Sequence, residues 1–482
     1  MRAEERLSAK TIQAFKPAAP GRSCCGGHEA PGYRARAPGS PLSRIVLNNL
    51  QEFERWLKNP AGSQPPRPQP GVITALEKFI ECGVMCYGAV RFRCPKCGHD
   101  VFVALSCKRR GCPSCDAKRS AIITGQALER LLAFVPYRQW VLVVPKRLRY
   151  FLNHDPALAG GLSRIFAEEI NRFLCQSATG TPAQLHFIQR FGGALNLHIH
   201  VHAVVSDGVF SLKMNVLGRS EVVFTPVPSP TDRQLAAIVT TVRKRFIRRV
   251  RRICGLSREA AENLLSWKNS GFSIHEEVRI KDWDRAGLEC LLGYCSRPAL
   301  SQKRLVYAEK ANTVLYRTEP KAGKSEMLAM TPIEFLRHWT LLMPPSKKNL
   351  VHYYGALAPR SPLRPLLVAK AEKEADQAAL REKIDKVKKK AGSWAACLAR
   401  VFEVYPLTCP KCGLDMKPVA VILNDKELVR LLTHLDLPVE FPRFRPAAQA
   451  SLYEHACGPP DEQCQLDPRV DYEAIEPAPA DD

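Results

Sequence analysis

Three histidines, His198, His200 and His202, stand at alternate positions of one short segment, interleaved with Ile199 and Val201. Leu195, Leu197, Ala203 and Val205 extend the apolar half of the pattern, and Asn196 extends the polar half. Side chains of a strand change face at every residue. The segment Ala194 to Val205 therefore predicts a strand with one face turned to a core and the imidazoles on the other. Histidines two residues apart on one face lie about 7 Å from each other, close enough to bind a single divalent ion. A wetted strand face carrying polar residues by chance is the plain alternative. Three of the chain's 12 histidines within five residues weigh against it.

Sulfur ligands occupy a second region. Cys94-Pro-Lys-Cys97 and Cys112-Pro-Ser-Cys115 are two C-x2-C knuckles with 14 residues between them. Each knuckle can place two thiolates on one side of a tight turn. Together Cys94, Cys97, Cys112 and Cys115 offer the tetrahedral sulfur set that Zn2+ prefers. The stretch Val101 to Leu105 between them reads as the strand of a zinc ribbon. Cys82 and Cys107 are additional candidate ligands, as are Cys86 and His99, each equally readable as an ordinary side chain. Cys409 and Cys412 form a further knuckle with no evident partner pair. Phosphate contact is one reading of Lys108, Arg109 and Arg110, and a solvated loop is the other.

Across 482 residues, 71 Lys and Arg face 47 Asp and Glu, a net charge of +24. Such a surplus favours a polyanionic partner, because each neutralised phosphate releases condensed counterions. An apolar content of 45% excludes a wholly disordered chain. There is no run of 18 apolar residues, so no membrane partner is expected, and the first 40 residues lack the apolar centre of a secretory signal. The 18 cysteines are accordingly expected as thiols and metal ligands in a reducing cytoplasm rather than as disulfides.

The elements that must position these residues follow from periodicity. Residues 1–40 read as a disordered leader and 41–125 as an N-terminal zinc-binding domain. Between about 130 and 360, strands (Gln139 to Val144, Ala194 to Val205, Arg304 to Tyr307, Thr313 to Tyr316) mix with helices (Ala157 to Cys175, Arg233 to Ile253, Asp284 to Ser296) in an α+β pattern. The second helix carries Arg243, Lys244, Arg245, Arg248, Arg249, Arg251 and Arg252, a broad positive surface for a DNA backbone or simply a solvated face. In the third, Leu288, Leu291, Leu292 and Cys295 form a buried stripe. Tyr294 falls off it, where an aromatic is either interfacial or functional. Residues 369–392 are expected to be a charged helical spacer, 393–440 a small module around Cys409 and Cys412, and 441–482 a tail.

The His-apolar-His strand resembles the hallmark of the HUH endonucleases. The neighbouring text is Gln189-Arg-Phe-Gly-Gly-Ala-Leu-Asn196 before the histidines and Asp207-Gly-Val-Phe210 after them. It is similar to the transposases of rolling-circle insertion sequences that carry an N-terminal zinc-binding domain. Arg138-Gln-Trp-Val-Leu142, His352-Tyr-Tyr-Gly-Ala-Leu-Ala-Pro359 and Leu407-Thr-Cys-Pro-Lys-Cys-Gly413 extend the resemblance over about residues 41–440. It implies an HUH-like antiparallel sheet with flanking helices behind a small zinc-ribbon domain. It also implies Mg2+ or Mn2+ held by His200 and His202, structural Zn2+, and His198 and Arg297 around the site. The activity implied is nicking and rejoining of single-stranded DNA at the element's ends, with Tyr294 forming a 5′-phosphotyrosine. A third metal ligand is implied too, for which Gln189 and Glu289 are candidates.

Two-tyrosine relatives carry a second tyrosine four residues earlier. Cys290 stands there, which points to the single-tyrosine subgroup. Tyr307, Tyr316, Tyr353 and Tyr354 are other tyrosines to consider as substitutes, but nothing in their spacing supports that role, and a homodimer is another source of a second nucleophile. A rolling-circle replication initiator would share the histidines and the tyrosine, and a non-catalytic DNA-binding protein would share the cysteines. The zinc segment placed before the catalytic region favours the transposase.

Overall fold

In the computed structural model the described residues are 39–58, 68–214, 218, 220–267, 271–319, 325–345, 347–381, 408–423, 425–437 and 439–445. The expected leader up to 38, the part of the spacer and C-terminal module over 382–407, and the tail beyond 445 lie outside them.

Helices α1 (Pro41–Lys58) and α2 (Val72–Glu81) precede strands β1 (Ala89–Arg93) and β2 (Asp100–Ala104) and helix α3 (Pro113–Gln126). The middle of the chain runs through β3 (Tyr137–Val143), α4 (Lys146–His154), α5 (Pro156–Ser177), β4 (Ala183–Phe191) and β5 (Leu197–Ser206). It continues as β6 (Gly208–Met214), β7 (Ser220–Pro226), α6 (Asp232–Cys254), α7 (Arg258–Ser266), β8 (Ser273–His275), β9 (Arg279–Ile280) and α8 (Arg285–Ser296). A small sheet of β10 (Leu305–Ala308), β11 (Thr313–Arg317) and β12 (Met327–Met330) leads into α9 (Pro332–Leu342) and β13 (Val351–Gly355). Then come α10 (Arg364–Arg381), β14 (Lys417–Ile422) and α11 (Asp425–His434). The architecture is α+β with antiparallel sheets.

The main sheet has the order β13-β4-β5-β3-β8, with β9 also paired to β3, and every pairing is antiparallel. The histidine strand β5 is central. Its alternation has the expected consequence on one side: Ile199, Val201, Ala203 and Val205 are fully buried against Leu162, Phe166 and Ile170 of α5 and Val242, Phe246 and Val250 of α6. The other face is covered over its second half, while His198 and His200 stay half-buried. Leu288, Leu291 and Leu292 of α8 pack there with Tyr137, Leu185, Phe187 and Val204, and His202 is only 3% exposed. The strand begins at Leu197 rather than Ala194, because the chain first turns through Leu195 at φ 53°, with the Gly192 N–H donating to the Asn196 carbonyl at 3.0 Å. Asn196 thus belongs to the turn.

Three expectations change. Helix α6 lies on the sheet face away from the histidines, and part of its charge is spent internally. Arg243 donates to the carbonyls of Leu264 and Trp267, and Arg245 pairs with Glu168 and Glu169. Arg249 is half-buried, so Lys244, Arg248, Arg251 and Arg252 are the exposed cations of the run. The expected spacer is docked over its described part: Leu367 and Ala371 are buried, Arg130 pairs with Glu372 at 3.0 Å, and Glu374 accepts from the Phe134 N–H. The C-terminal module is not separate either. Strand β14 pairs with β1 to give a sheet β14-β1-β2, and Leu428 and Leu432 pack on Met85, Ala89 and Phe102.

One ion network secures the sheet where β5 ends. The buried Asp207 carboxylate takes Arg138 at 3.0 Å and Arg279 at 2.6 Å, while Arg138 also pairs with Glu276 and donates to Ser229. Removing the acid would leave a buried guanidinium short of its counter-charge. Asp207→Asn is expected to lower unfolding free energy by about 3–5 kcal/mol in denaturant titrations. A loss under about 1 kcal/mol would mean the network does not hold the sheet.

Candidate active site and metal centres

Helix α8 starts where the Asp284 side chain accepts from the Gly287 N–H at 2.8 Å, and it stops at Arg297, the residue before Pro298. Its C-terminal end is tied to β4. The Gln189 side chain donates to the carbonyls of Tyr294 (3.0 Å) and Cys295 (2.9 Å), two acceptors that a helix end leaves without partners. Tyr294 leaves the buried stripe, 48% exposed, with its ring edge-on to His202 at 5.6 Å between centroids and 87° between planes. The Arg297 guanidinium stands 4.7 Å from the centre of that ring and pairs with Glu319, which also holds Arg304 at 3.1 Å. Arg297 therefore steadies the tyrosine ring by a cation–π contact.

Cys290, one turn earlier, is exposed. Tyr307 and Tyr316 are buried, and Tyr353 and Tyr354 sit on β13, separated from β5 by β4. Of the tyrosines named from the sequence, Tyr294 is the one set against the histidines.

The three imidazoles follow one another at 4.8 Å between centroids. Nδ1 of His200 lies 2.8 Å from the His198 carbonyl. A carbonyl only accepts, so Nδ1 carries the proton and Nε2 keeps its lone pair. Nδ1 of His202 accepts from the Gln139 amide N–H at 2.9 Å, which puts the ring proton on its buried Nε2, an atom with no hydrogen-bond partner among the described residues. Turning the Gln139 carboxamide end for end presents its oxygen instead, moves that proton to Nδ1 and frees the Nε2 lone pair. Desolvation is the leading reason that His202 is lowered to about 3 and His198 to about 4, and it lowers His200 as well. Neutral imidazoles with free Nε2 atoms are what a divalent ion needs.

Gln189, paired across the sheet from His200, adds a buried Oε1 with no partner among the described residues. No His, Cys, Asp or Glu among the described residues completes a set of three with the two histidines, and Glu289 is exposed on α8. Sequence spacing did not single out Gln139 or Glu319, since neither falls in a ligand-like pattern.

At the C-terminal end of α8 a cavity of about 250 Å³ opens between the N-terminal domain and the sheet. Arg110, Arg119, Arg190 and Arg297 line it, against the single acid Asp116. Lys108 and Arg109 are exposed nearby in the chain, and the Lys108 carbonyl accepts from Arg119.

The cysteines fall into two sets, but not as the knuckles suggested. Cys112 and Cys115 meet Cys82 and Cys107, with Sγ separations of 3.6, 3.6 and 3.7 Å. Cys94 and Cys97 instead meet Cys409 and Cys412, at 3.4, 3.5 and 3.8 Å. Zinc–sulfur bonds of about 2.3 Å in a tetrahedron give sulfur–sulfur edges of about 3.8 Å, so either set suits Zn2+. The reason for the split is distance. The first knuckle sits at the β1–β2 turn, and five residues of β2 carry the chain about 17 Å away before the second. Cys86 belongs to neither set and lies 3.5 Å from the Glu440 carbonyl, while His99 contributes its carbonyl to the Cys94 N–H. Each set contains one acidic thiol at about 6: Cys94, through the Cys97 N–H first, and Cys115, through the neighbouring thiols of Cys107 and Cys112.

Compared with known families, residues 51–144 match a model described as "Transposase zinc-binding domain", and residues 184–364 match one described as "Putative transposase". Together the two ranges cover more than half of the chain. No curated protein and no solved structure matches it.

If the His200–His202 pair binds a divalent ion, Gln139→Ala, which frees the His202 ring, is expected to weaken Mn2+ binding by about 10–100-fold. His202→Ala is expected to abolish it. Electron paramagnetic resonance titration of Mn2+ reads both, and unchanged affinity in the two variants would place the ion elsewhere.

Proposed function

The chain belongs to the rolling-circle transposases of the IS91 type, and from that membership we propose that it nicks and rejoins single-stranded DNA at the ends of its element through Tyr294. The observation that carries this reading is the meeting of α8 with β5: a half-exposed tyrosine edge-on to His202, above two imidazoles whose Nε2 atoms have no hydrogen-bond partner among the described residues. Mg2+ or Mn2+ held by His200 and His202, with Gln189 Oε1 beside them, would polarise the scissile phosphate and offset the charge of its transition state.

The remaining chemistry falls to the chain's own groups. The Tyr294 hydroxyl attacks phosphorus and releases its proton to solvent. The 3′ oxygen leaves and takes a proton back, so one phosphodiester is exchanged for a 5′-phosphotyrosine ester. In the reverse sense a 3′-hydroxyl attacks that ester, and the strand is sealed as Tyr294 departs. Arg297 keeps the ring from swinging away, with Glu319 holding Arg297 in turn. The arginine-lined cavity opens at the end of α8 beside Cys295 and Arg297, and its charge suits phosphates. With Cys290 in place of a second tyrosine, one tyrosine acts in both steps or a second protomer supplies its own.

Labelled single-stranded oligonucleotides from the element's ends, incubated with Mn2+, are expected to give a covalent adduct with the wild-type protein and none with Tyr294→Phe. An adduct that survives the substitution would remove Tyr294 as nucleophile. Absence of any adduct on every end sequence would favour a DNA-binding protein without catalysis.

A further inference from the structure

The two knuckles that meet across the chain have the same sequence. Cys94-Pro-Lys-Cys97-Gly98 and Cys409-Pro-Lys-Cys412-Gly413 are identical pentapeptides. They also fold alike. Gly98 and Gly413 take left-handed φ values of 68° and 70°, and each donates its N–H to the first cysteine's carbonyl, at 3.1 and 2.8 Å. The first cysteine in turn donates to the carbonyl of the residue after the glycine, His99 or Leu414, at 2.9 and 2.8 Å. Two such turns face each other with four Sγ atoms within 4.8 Å, the geometry of a tetrahedral thiolate site.

We propose that Cys94, Cys97, Cys409 and Cys412 hold a second zinc ion that clasps residues 408–445 onto the N-terminal domain, and that this ion can leave while the one at Cys82, Cys107, Cys112 and Cys115 stays. The second half of this site lies outside both ranges that match transposase families. Three observations separate the two sites. Cys97 is exposed and Cys412 half-buried beside the buried Cys94 and Cys409, whereas in the other set only Cys107 is half-buried and Cys82, Cys112 and Cys115 lie within the same core as α1, α2 and α9. The segment buries few apolar side chains fully: Leu428 and Leu432 touch Met85, Ala89 and Phe102, and Met416 sits beside Phe92 and Val103, while Phe441 meets the Tyr87 ring edge-on, Phe444 is only partly buried against the N-terminal core, and β14 is exposed along most of its length. Finally, the clasp joins positions more than 300 residues apart, so the chain entropy of closing it falls on these few contacts and on the metal. In small modules of this kind, metal binding and folding are one event.

The test uses the full-length protein. Wild type is expected to carry two zinc ions per chain by mass spectrometric metal analysis, and Cys409→Ser/Cys412→Ser to carry one. In that variant the amides of β14 should exchange with deuterium at least about 100-fold faster, while those of β5 keep their protection. Wild type treated with a graded excess of EDTA should release zinc in two phases, and loss of β14 protection should follow the first. One zinc in wild type, two in the variant, or unchanged β14 exchange after release of the first ion would each overturn the proposal. The EDTA series does not depend on the variant folding.

Discussion

Burial of β5 on both faces is the constraint on which the rest of the arrangement depends. A strand wetted on one side would leave its histidines protonatable and mobile. Here one face carries Ile199, Val201, Ala203 and Val205 into the core beneath α5 and α6, and α8 roofs the other at His202 and Val204, with His200 and His198 half-buried beyond its edge. The roof does two things at once. It strips water from the imidazoles, which keeps them neutral, and it delivers Tyr294 to them from its own exposed edge. The tie from Gln189 to the last carbonyls of α8 couples the two, because the residue that fixes the helix stands directly across from His200.

The parts of this arrangement legible in the sequence are those with a local period. Alternation located β5 and assigned its faces, and the stripe Leu288, Leu291, Leu292 and Cys295 located α8 with Tyr294 off it. Tyr294 as a nucleophile was not legible from periodicity and rested on resemblance. What covers the histidine face could not be read, because α8 lies about 90 residues further along and nothing in β5 marks the helix as its neighbour. The cysteines show the same limit more sharply. C-x2-C spacing announces thiolate pairs, and the strand between the first two knuckles was readable, but which pairs join is decided by β14 returning to β1, and nothing beside the knuckles marks those two strands as partners. The basic helix erred in another direction. Charge density was visible, but Arg243 and Arg245 are committed to α7 and α5, and the helix stands on the far side of the sheet.

The N-terminal domain is thereby more than an appendage. Its helix α3 supplies Arg119 and Ser120 to the cavity wall at the end of α8, and Ser120 and Ser296 share a hydrogen bond at 2.6 Å. Cysteine chemistry that fixes the start of α3, through Cys112 and Cys115, therefore also fixes one wall of the cavity at the C-terminal end of α8. A rigid scaffold placed against a helix holds that helix in one geometry more surely than a loop would.

The most direct measurement on the central claim is the site of covalent attachment. Trypsin does not cut at Arg297 before Pro298, so digestion of a protein–oligonucleotide adduct yields the peptide 286–303, whose single tyrosine is Tyr294. Mass spectrometry of the digested adduct should find this peptide carrying a nucleotide through its 5′ phosphate. A nucleotide on a peptide bearing Tyr307, Tyr316, Tyr353 or Tyr354, or attachment through a 3′ phosphate, would contradict the account.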